Sequence, residues 1–294
     1  MAEGEAAVVA PRSGADHSSV SQNTNQTTQT EGMTMRMNRI VGLAATAAVI
    51  IGTACSAPGA KAATKTSPAE TAIRAAGRQN RYAIVTFYKK NDEASTKMLA
   101  AARKLQGRYS SRANFVSVDV GNTVHKSVIS QYGADRSPIP LTLVIAPNGA
   151  TTAGYPNEIK TTDLSSAFVS SGMANVLKVL QSGRLAAVCL QNSRTKNNKE
   201  SLAAAEGLNN QAQFRGAVEV VKVDPSDGSE AKFIQICKAD AGSDSAQIVI
   251  IAPPGRIVGK FDGTATTDSM TAVLMKAFSG GGCGGGSCGP SGCK

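Results

Sequence analysis

Tryptophan is absent, and aromatic residues make up only 4% of the 294 positions. Any core must then be built from Ala, Val, Ile and Leu, which the 41% hydrophobic content supplies. No run of five or six basic residues occurs, and no basic segment is interleaved with aromatics. The formal net charge of +10 is spread singly along the chain. That pattern argues against nucleic acid as a partner. Histidine is scarce too: beyond the polar N-terminal segment only His125 remains, so no Ser-His-Asp constellation can be assembled around it. A lone His without a Cys or acid beside it reads as a structural or surface residue. No phosphate-cradling loop is present, because Gly280–Gly286 follows the last expected helix and opens none. Ile40 to Gly52 is apolar and uncharged, but its 13 residues are too few to span a bilayer.

That stretch fits an export signal. Met33 to Arg39 forms a short positive region, Ile40–Gly52 the apolar segment, and Gly52-Thr53-Ala54-Cys55 a run of small residues ending in Cys. The arrangement is similar to a bacterial lipoprotein cleavage box, in which Cys55 becomes the lipidated first residue. Ordinary cleavage near Pro58-Gly59-Ala60 is the alternative. Residues 1–32 are polar and read as disordered, or as lying ahead of a true start at Met33, Met35 or Met37. Residues 56–66, rich in Ala, Lys, Ser, Thr and Pro, read as a tether.

Comparison of the chain with itself is more informative. Leu99-Ala-Ala-Ala102 recurs as Leu202-Ala-Ala-Ala205, and Leu105 matches Leu208 at the same offset of 103. Val118-Asp119 recurs as Val223-Asp224, and Thr161-Thr162-Asp163 as Thr266-Thr267-Asp268, both at 105. Ile145-Ala146-Pro147-x-Gly149 recurs as Ile251-Ala252-Pro253-x-Gly255 at 106. Solenoid repeats run about 20–50 residues, so a period this long points to two copies of a domain. The boundaries follow as 67–175 and 176–278, with a Gly/Cys-rich tail over 279–294.

Each copy is expected to follow the order αβαβαββα. In the first, Ser67-Pro68-Ala69-Glu70 is a capping box with Pro at the first helical position. Strands are expected at Ala83–Tyr88, Phe115–Val120, Leu141–Ala146 and Thr151–Tyr155. Helices are expected over Ala94–Leu105 and Thr123–Tyr132, with a last one capped by Thr162 or Asp163 and running to about Ser170. In the second, strands are expected at Leu185–Leu190, Val218–Val223, Gln247–Ile251 and Arg256–Phe261, and helices at Lys199–Leu208, Ala231–Ala239 and Asp268–Phe278. The alternation implies parallel pairing through right-handed crossovers, closed by an antiparallel hairpin.

This order resembles the thioredoxin fold. Tyr132-Gly133 and Ile139-Pro140-Leu-Thr-Leu-Val-Ile-Ala-Pro-Asn148-Gly149 look like the thioredoxin stretch that places a cis-proline before the third central strand, with Pro140 at that position. The Val-x-Phe-Tyr strand ending at Tyr88 looks like the one that delivers the active-site loop. The resemblance implies an α/β architecture of two tandem thioredoxin-like domains, each a mixed sheet flanked by helices. It also implies where a Cys-x-x-C pair would stand, at the start of the helix after that strand, where the helix N-terminus activates the first thiol. The slot is Asp92-Glu93-Ala94-Ser95, mapped by the repeat onto Thr195-Lys196-Asn197-Asn198. Neither contains Cys, so neither can perform thiol-disulfide exchange. Asp92 reads instead as a helix N-cap. The cis-proline position of the second copy is Ala246.

Six cysteines remain to be placed. Cys189 and Cys237 have apolar neighbours and read as small buried hydrophobes, though a disulfide between them is an open alternative. Cys283, Cys288 and Cys293 stand at C-x4-C-x4-C spacing among glycines. They fit thiol exchange, soft-metal binding, or a solvated tail. Structural zinc asks for four ligands, one more than the tail offers. The sequence therefore predicts an exported binding or scaffold module of the cell envelope, without a redox pair and without a cofactor. It would engage a protein partner near Pro140 and Asp92–Ser95, and a membrane through Cys55 if lipidated. A thiol oxidoreductase or soft-metal-binding protein using Cys283, Cys288 and Cys293 is the competing reading.

Overall fold

A computed structural model of the chain describes residues 66–279. The readings made for residues 1–32, the signal-like segment with Cys55, nearly all of the tether, and the tail cysteines fall outside the described residues.

The first half begins at the predicted cap. Ser67 Oγ accepts the Glu70 N–H at 3.1 Å and starts α1 (Pro68–Arg78). There follow β1 (Tyr82–Tyr88), α2 (Glu93–Tyr109), β2 (Ala113–Asp119), α3 (Lys126–Gln131) behind a 3-10 turn at Thr123–His125, β3 (Leu141–Ile145), β4 (Thr151–Pro156) and α4 (Thr161–Ser166). The second half runs α5 (Ser171–Gln181), β5 (Leu185–Leu190), α6 (Asn198–Asn210), β6 (Val218–Val223), α7 (Ala231–Ile236), β7 (Gln247–Ala252), β8 (Arg256–Asp262) and α8 (Thr267–Ser279). Each half holds one four-stranded sheet, ordered β2-β1-β3-β4 and β6-β5-β7-β8. Two mixed sheets of this order, flanked by helices on both faces, make two thioredoxin-like domains.

Strand parity explains the layers. Ala83, Val85 and Phe87 of β1 pack with Ile73 of α1 and Val128 of α3, while Tyr82 and Ile84 pack with Met98 and Leu105 of α2 and Leu164 of α4. In the second sheet Val188 and Leu190 face α5 and α7, and Ala187 and Cys189 face α6 and α8. Successive side chains on a strand point to opposite faces, so the near-continuous apolar runs fill two layers at once.

Three expectations change. Only β1–β2 and β5–β6 are parallel; β3 and β7 run antiparallel to the central strands. The two connections differ in their helix: α2 has 17 residues, about 26 Å and enough to retrace a seven-residue strand of about 23 Å, whereas α3 has six, about 9 Å. The last helix of the first half is shorter than expected: it ends at Ser166, and its cap position is Lys160 rather than Thr162 or Asp163. The first helix of the second half, α5, starts at a Ser170 cap, so the expected division at 175/176 falls inside it. The repeat carried the signal for it, because Ser67 plus the 103-residue offset is Ser170.

Helix α5 ties the halves together. Its Ala174 joins the first-half core, and Val176, Val179 and Leu180 join the second. Gln181 accepts the Thr151 N–H at 3.0 Å and donates to its carbonyl at 2.6 Å, satisfying the start of edge strand β4. At the other end Glu230, 3% exposed, accepts from the Gly172 N–H at 2.7 Å, Ser171 Oγ at 3.1 Å and Ser170 Oγ at 2.5 Å. A buried carboxylate here is matched by three donors and by the positive end of the helix. A Cβ on Gly172 would stand 2.7 Å from Glu230 Oε2, so only glycine admits this contact. The corresponding position of the first half is His125, whose Nδ1 is buried with no hydrogen-bond partner among the described residues.

Replacing Glu230 with Ala strands these donors and is expected to lower unfolding free energy by about 2–4 kcal/mol. Urea denaturation of the full chain checks it: an unchanged midpoint would show that α5 does not depend on this cap.

Candidate functional site

Helix α2 begins where the slot lies, and its residues are occupied in building the turn. Asn91 takes a left-handed φ of 60° and turns the chain out of β1. Asp92 Oδ2 accepts the Ser95 N–H at 2.7 Å, the expected N-cap. Ser95 is 1% exposed, and its Oγ accepts the Lys89 N–H at 3.1 Å. Hydrogen bonding from the Ser95 side chain and then its N–H holds the Asp92 carboxyl below the usual carboxylate range. A capped carboxylate and a buried hydroxyl offer no nucleophile for disulfide chemistry.

Beside the slot is a cleft of about 720 Å³, lined by Ala94, Met98, Ala101 and Ile159, with Asp92, Glu93, Lys97, Asn157 and Glu158 at its rim. Pro140 belongs to this end of the sheet. The Ile139–Pro140 peptide is cis, and the Pro140 carbonyl accepts the Asn157 N–H at 2.8 Å. Among the described residues no hydrogen bond engages the Ile139 backbone.

The second half answers differently with the same parts. Lys196 N–H donates to the Asp244 carbonyl at 2.8 Å, and Ala246 N–H donates to the Lys196 carbonyl at 2.9 Å. Lys196 Nζ reaches Asp244 Oδ2 at 2.7 Å, and Asn197 Nδ2 reaches Ser245 Oγ at 3.3 Å. Gly263 closes the third side: a Cβ there would lie 3.0 Å from both the Ala246 carbonyl and Asn197 Cβ. The slot loop is thus zipped to the loop before β7. Pro140 has no N–H and so cannot make the bond that Ala246 makes. One residue type separates a closed loop pair from an open one. Helix α6 consequently starts at Asn198, with Asn197 as its left-handed cap residue, although burial of Ala205 and Leu208 keeps the register of Ala102 and Leu105. Lys196 lies within the slot that the repeat marks, and the absent proline at position 246 is the signal for its pairing; Gly263 carries no such signal.

Cys189 and Cys237 are buried free thiols, and they lie on opposite faces of the second sheet. That separation removes the disulfide alternative between them. Burial pushes the Cys189 thiol up to about 12 and the Cys237 thiol up to about 11. Among the described residues no group of three or more His, Cys, Asp or Glu is placed to hold a metal ion, and no helix is long and apolar enough to cross a membrane. Lys90 beside the slot pairs with Asp119 at 3.4 Å.

Comparison with known proteins extends to the fold and no further. The germline-specific thioredoxin Deadhead from Drosophila melanogaster is 17% identical, with 35% of this chain and 96% of that one covered at a TM-score of 0.30. The first two thioredoxin domains of Saccharomyces cerevisiae Eps1p are 11% identical, with 71% and 96% covered at 0.26. The zinc-bound form of human ERp44 is 13% identical, with 72% and 59% covered at 0.30. The strand order described above, rather than these scores, carries the assignment. No protein-family model and no curated protein matches the chain.

Three outcomes follow. Asp92→Ala is expected to lower the thermal midpoint at neutral pH. Because the folded-state pKa is depressed, that difference should be complete above the ordinary carboxylate value and vanish as pH falls through the folded one; a gap that persists in acid would assign the loss to something other than the charged cap. Ala246→Pro removes a donor to Lys196, so amide exchange at Lys196 should quicken while β5 and β7 stay protected; unchanged exchange would refute the zipper. Peptide mapping after thiol labelling at mild alkaline pH should find Cys189 and Cys237 unmodified in the folded chain and modified after denaturation.

Proposed function

We propose that the chain is a non-catalytic binding module whose working surface is the first-half cleft between the start of α2 and Asn157–Ile159, next to the Pro140 loop. The observation that carries this reading is the contrast between the halves. The second half closes its slot on itself through Lys196, and the first half, with proline at position 140, has a free loop backbone beside an apolar-floored cleft. Free backbone and an apolar floor suit an extended protein segment, which pairs through its main chain and anchors through a side chain. The halves are read as copies of one ancestral domain. The N-terminal segment is read as an export signal, ending at a lipidated Cys55 or at ordinary cleavage nearby, which assigns the protein to the cell envelope. Cys283, Cys288 and Cys293 keep the second reading, thiol exchange or soft-metal binding by the tail, in play through their spacing alone.

The test uses the full chain beside its Cys283→Ser/Cys288→Ser/Cys293→Ser variant. Neither is expected to reduce insulin disulfides above the dithiothreitol blank. Turnover that disappears in the triple variant would overturn the non-catalytic reading. Carboxymethylated α-lactalbumin serves as the extended-chain probe. Its binding should perturb NMR signals of residues 92–101 and 157–159 and should be lost in Ala101→Glu. Perturbation that survives that substitution would move the binding surface elsewhere.

A further inference from the structure

A second cleft, sharing no lining residue with the first, lies on the other side of the first-half sheet. It encloses about 480 Å³ between α1, the end of α3, the turn after β3, and α5. Its lining includes Arg74, Arg78, Lys178, Gln131 and Tyr132, and no acidic residue. Arg74 and Arg78 are four apart on α1 and so share a face, where like charges repel. Arg74 is paired with Glu70, but among the described residues no ion pair engages Arg78 or Lys178. Lys178 makes only a long 3.5 Å bond to the Gly149 carbonyl. Burial first, and Glu70 second, raise the Tyr132 hydroxyl's pKa, so it stays protonated and able to donate.

The walls are fixed in advance. A Cβ on Gly77 would meet the Pro147 carbonyl oxygen at 2.6 Å, so α1 lies directly against the turn. Asn148 Nδ2 donates to Asn175 Oδ1 at 2.9 Å, and Gln181 holds Thr151, which sets Lys178 across from Arg74 and Arg78. Three cations from two helices thereby line one concavity. Guanidinium forks beside an ammonium match an oxyanion that offers several acceptor oxygens.

We propose that this cleft binds a phosphate-bearing anion with at least two charges, clamped by Arg74 and Arg78 from one half and Lys178 from the other. Its source is a soluble di- or triphosphate or the headgroup of an anionic lipid. A ligand held this way bridges the two halves and reinforces the α5 junction.

Calorimetry with the full chain and inorganic pyrophosphate at ~150 mM salt, where diffuse attraction is screened, tests the site. One-to-one binding is expected, weakened roughly tenfold or more in R78E/K178E. It should be unchanged in K199E/K232E, which makes the same change in net charge at exposed positions of α6 and α7. Equal weakening in both double variants would reduce the effect to net charge and overturn the proposal. Vesicles containing phosphatidylglycerol form the second arm. Binding that R78E/K178E abolishes and pyrophosphate displaces names a lipid headgroup as the source; binding of pyrophosphate alone names a soluble phosphate; binding of neither overturns the site.

Discussion

The placement of α5 depends on the carboxylate of Glu230. A helix that leaves one core and enters the next must begin somewhere buried, and a buried helix start exposes unpaired N–H groups to an apolar surrounding. Glu230 accepts from one of them, the Gly172 N–H, together with the Ser170 and Ser171 hydroxyls, and a glycine at position 172 lets it come close. From this anchored start the helix gives Ala174 to one core and Val176, Val179 and Leu180 to the other, and ends with Gln181 on the edge of β4. The basic cleft of the first half takes part of its lining from that arrangement, since Lys178 stands on the same helix.

Within this frame the two halves differ at their slot loops for a reason of backbone chemistry. Both place a loop before the third strand next to a loop at the start of the second helix. Where the chain has Ala246, an amide hydrogen is available and the loops bond to each other through Lys196. Where it has Pro140, no such hydrogen exists and the neighbouring backbone stays free. The lack of cysteine at both slots and the closure of one loop pair are independent features of the chain.

Much of the architecture was legible beforehand because it is local. Apolar periodicity, the Ser67 cap and the turn at Pro147–Gly149 fixed nearly every strand and helix within a few residues. The direction of β3 was not legible, because strand polarity is set by how the sheet and its helices pack together rather than by any local stretch. Helix α5 has a one-sided apolar pattern and a capping Ser170 at the offset of Ser67, so its start too is written locally. At the slot, the Asp92 cap was readable from its side-chain type and position. The burial of Ser95 and the Lys196 zipper were not, since both arise from residues far apart in sequence.

The sequence by itself determined the element order, the absence of a thiol at either slot, and the difference between proline and alanine at the two matching loops. These are properties of residue types and their spacing, which no packing can alter. Tertiary structure alone decided that Cys189 and Cys237 face opposite sides of a sheet, that Glu230 meets the start of α5, and that Arg74, Arg78 and Lys178 converge on one cleft. Each of these requires segments tens of residues apart to be brought within a few ångströms. That proximity is set by the joint packing of all the layers rather than by any local stretch.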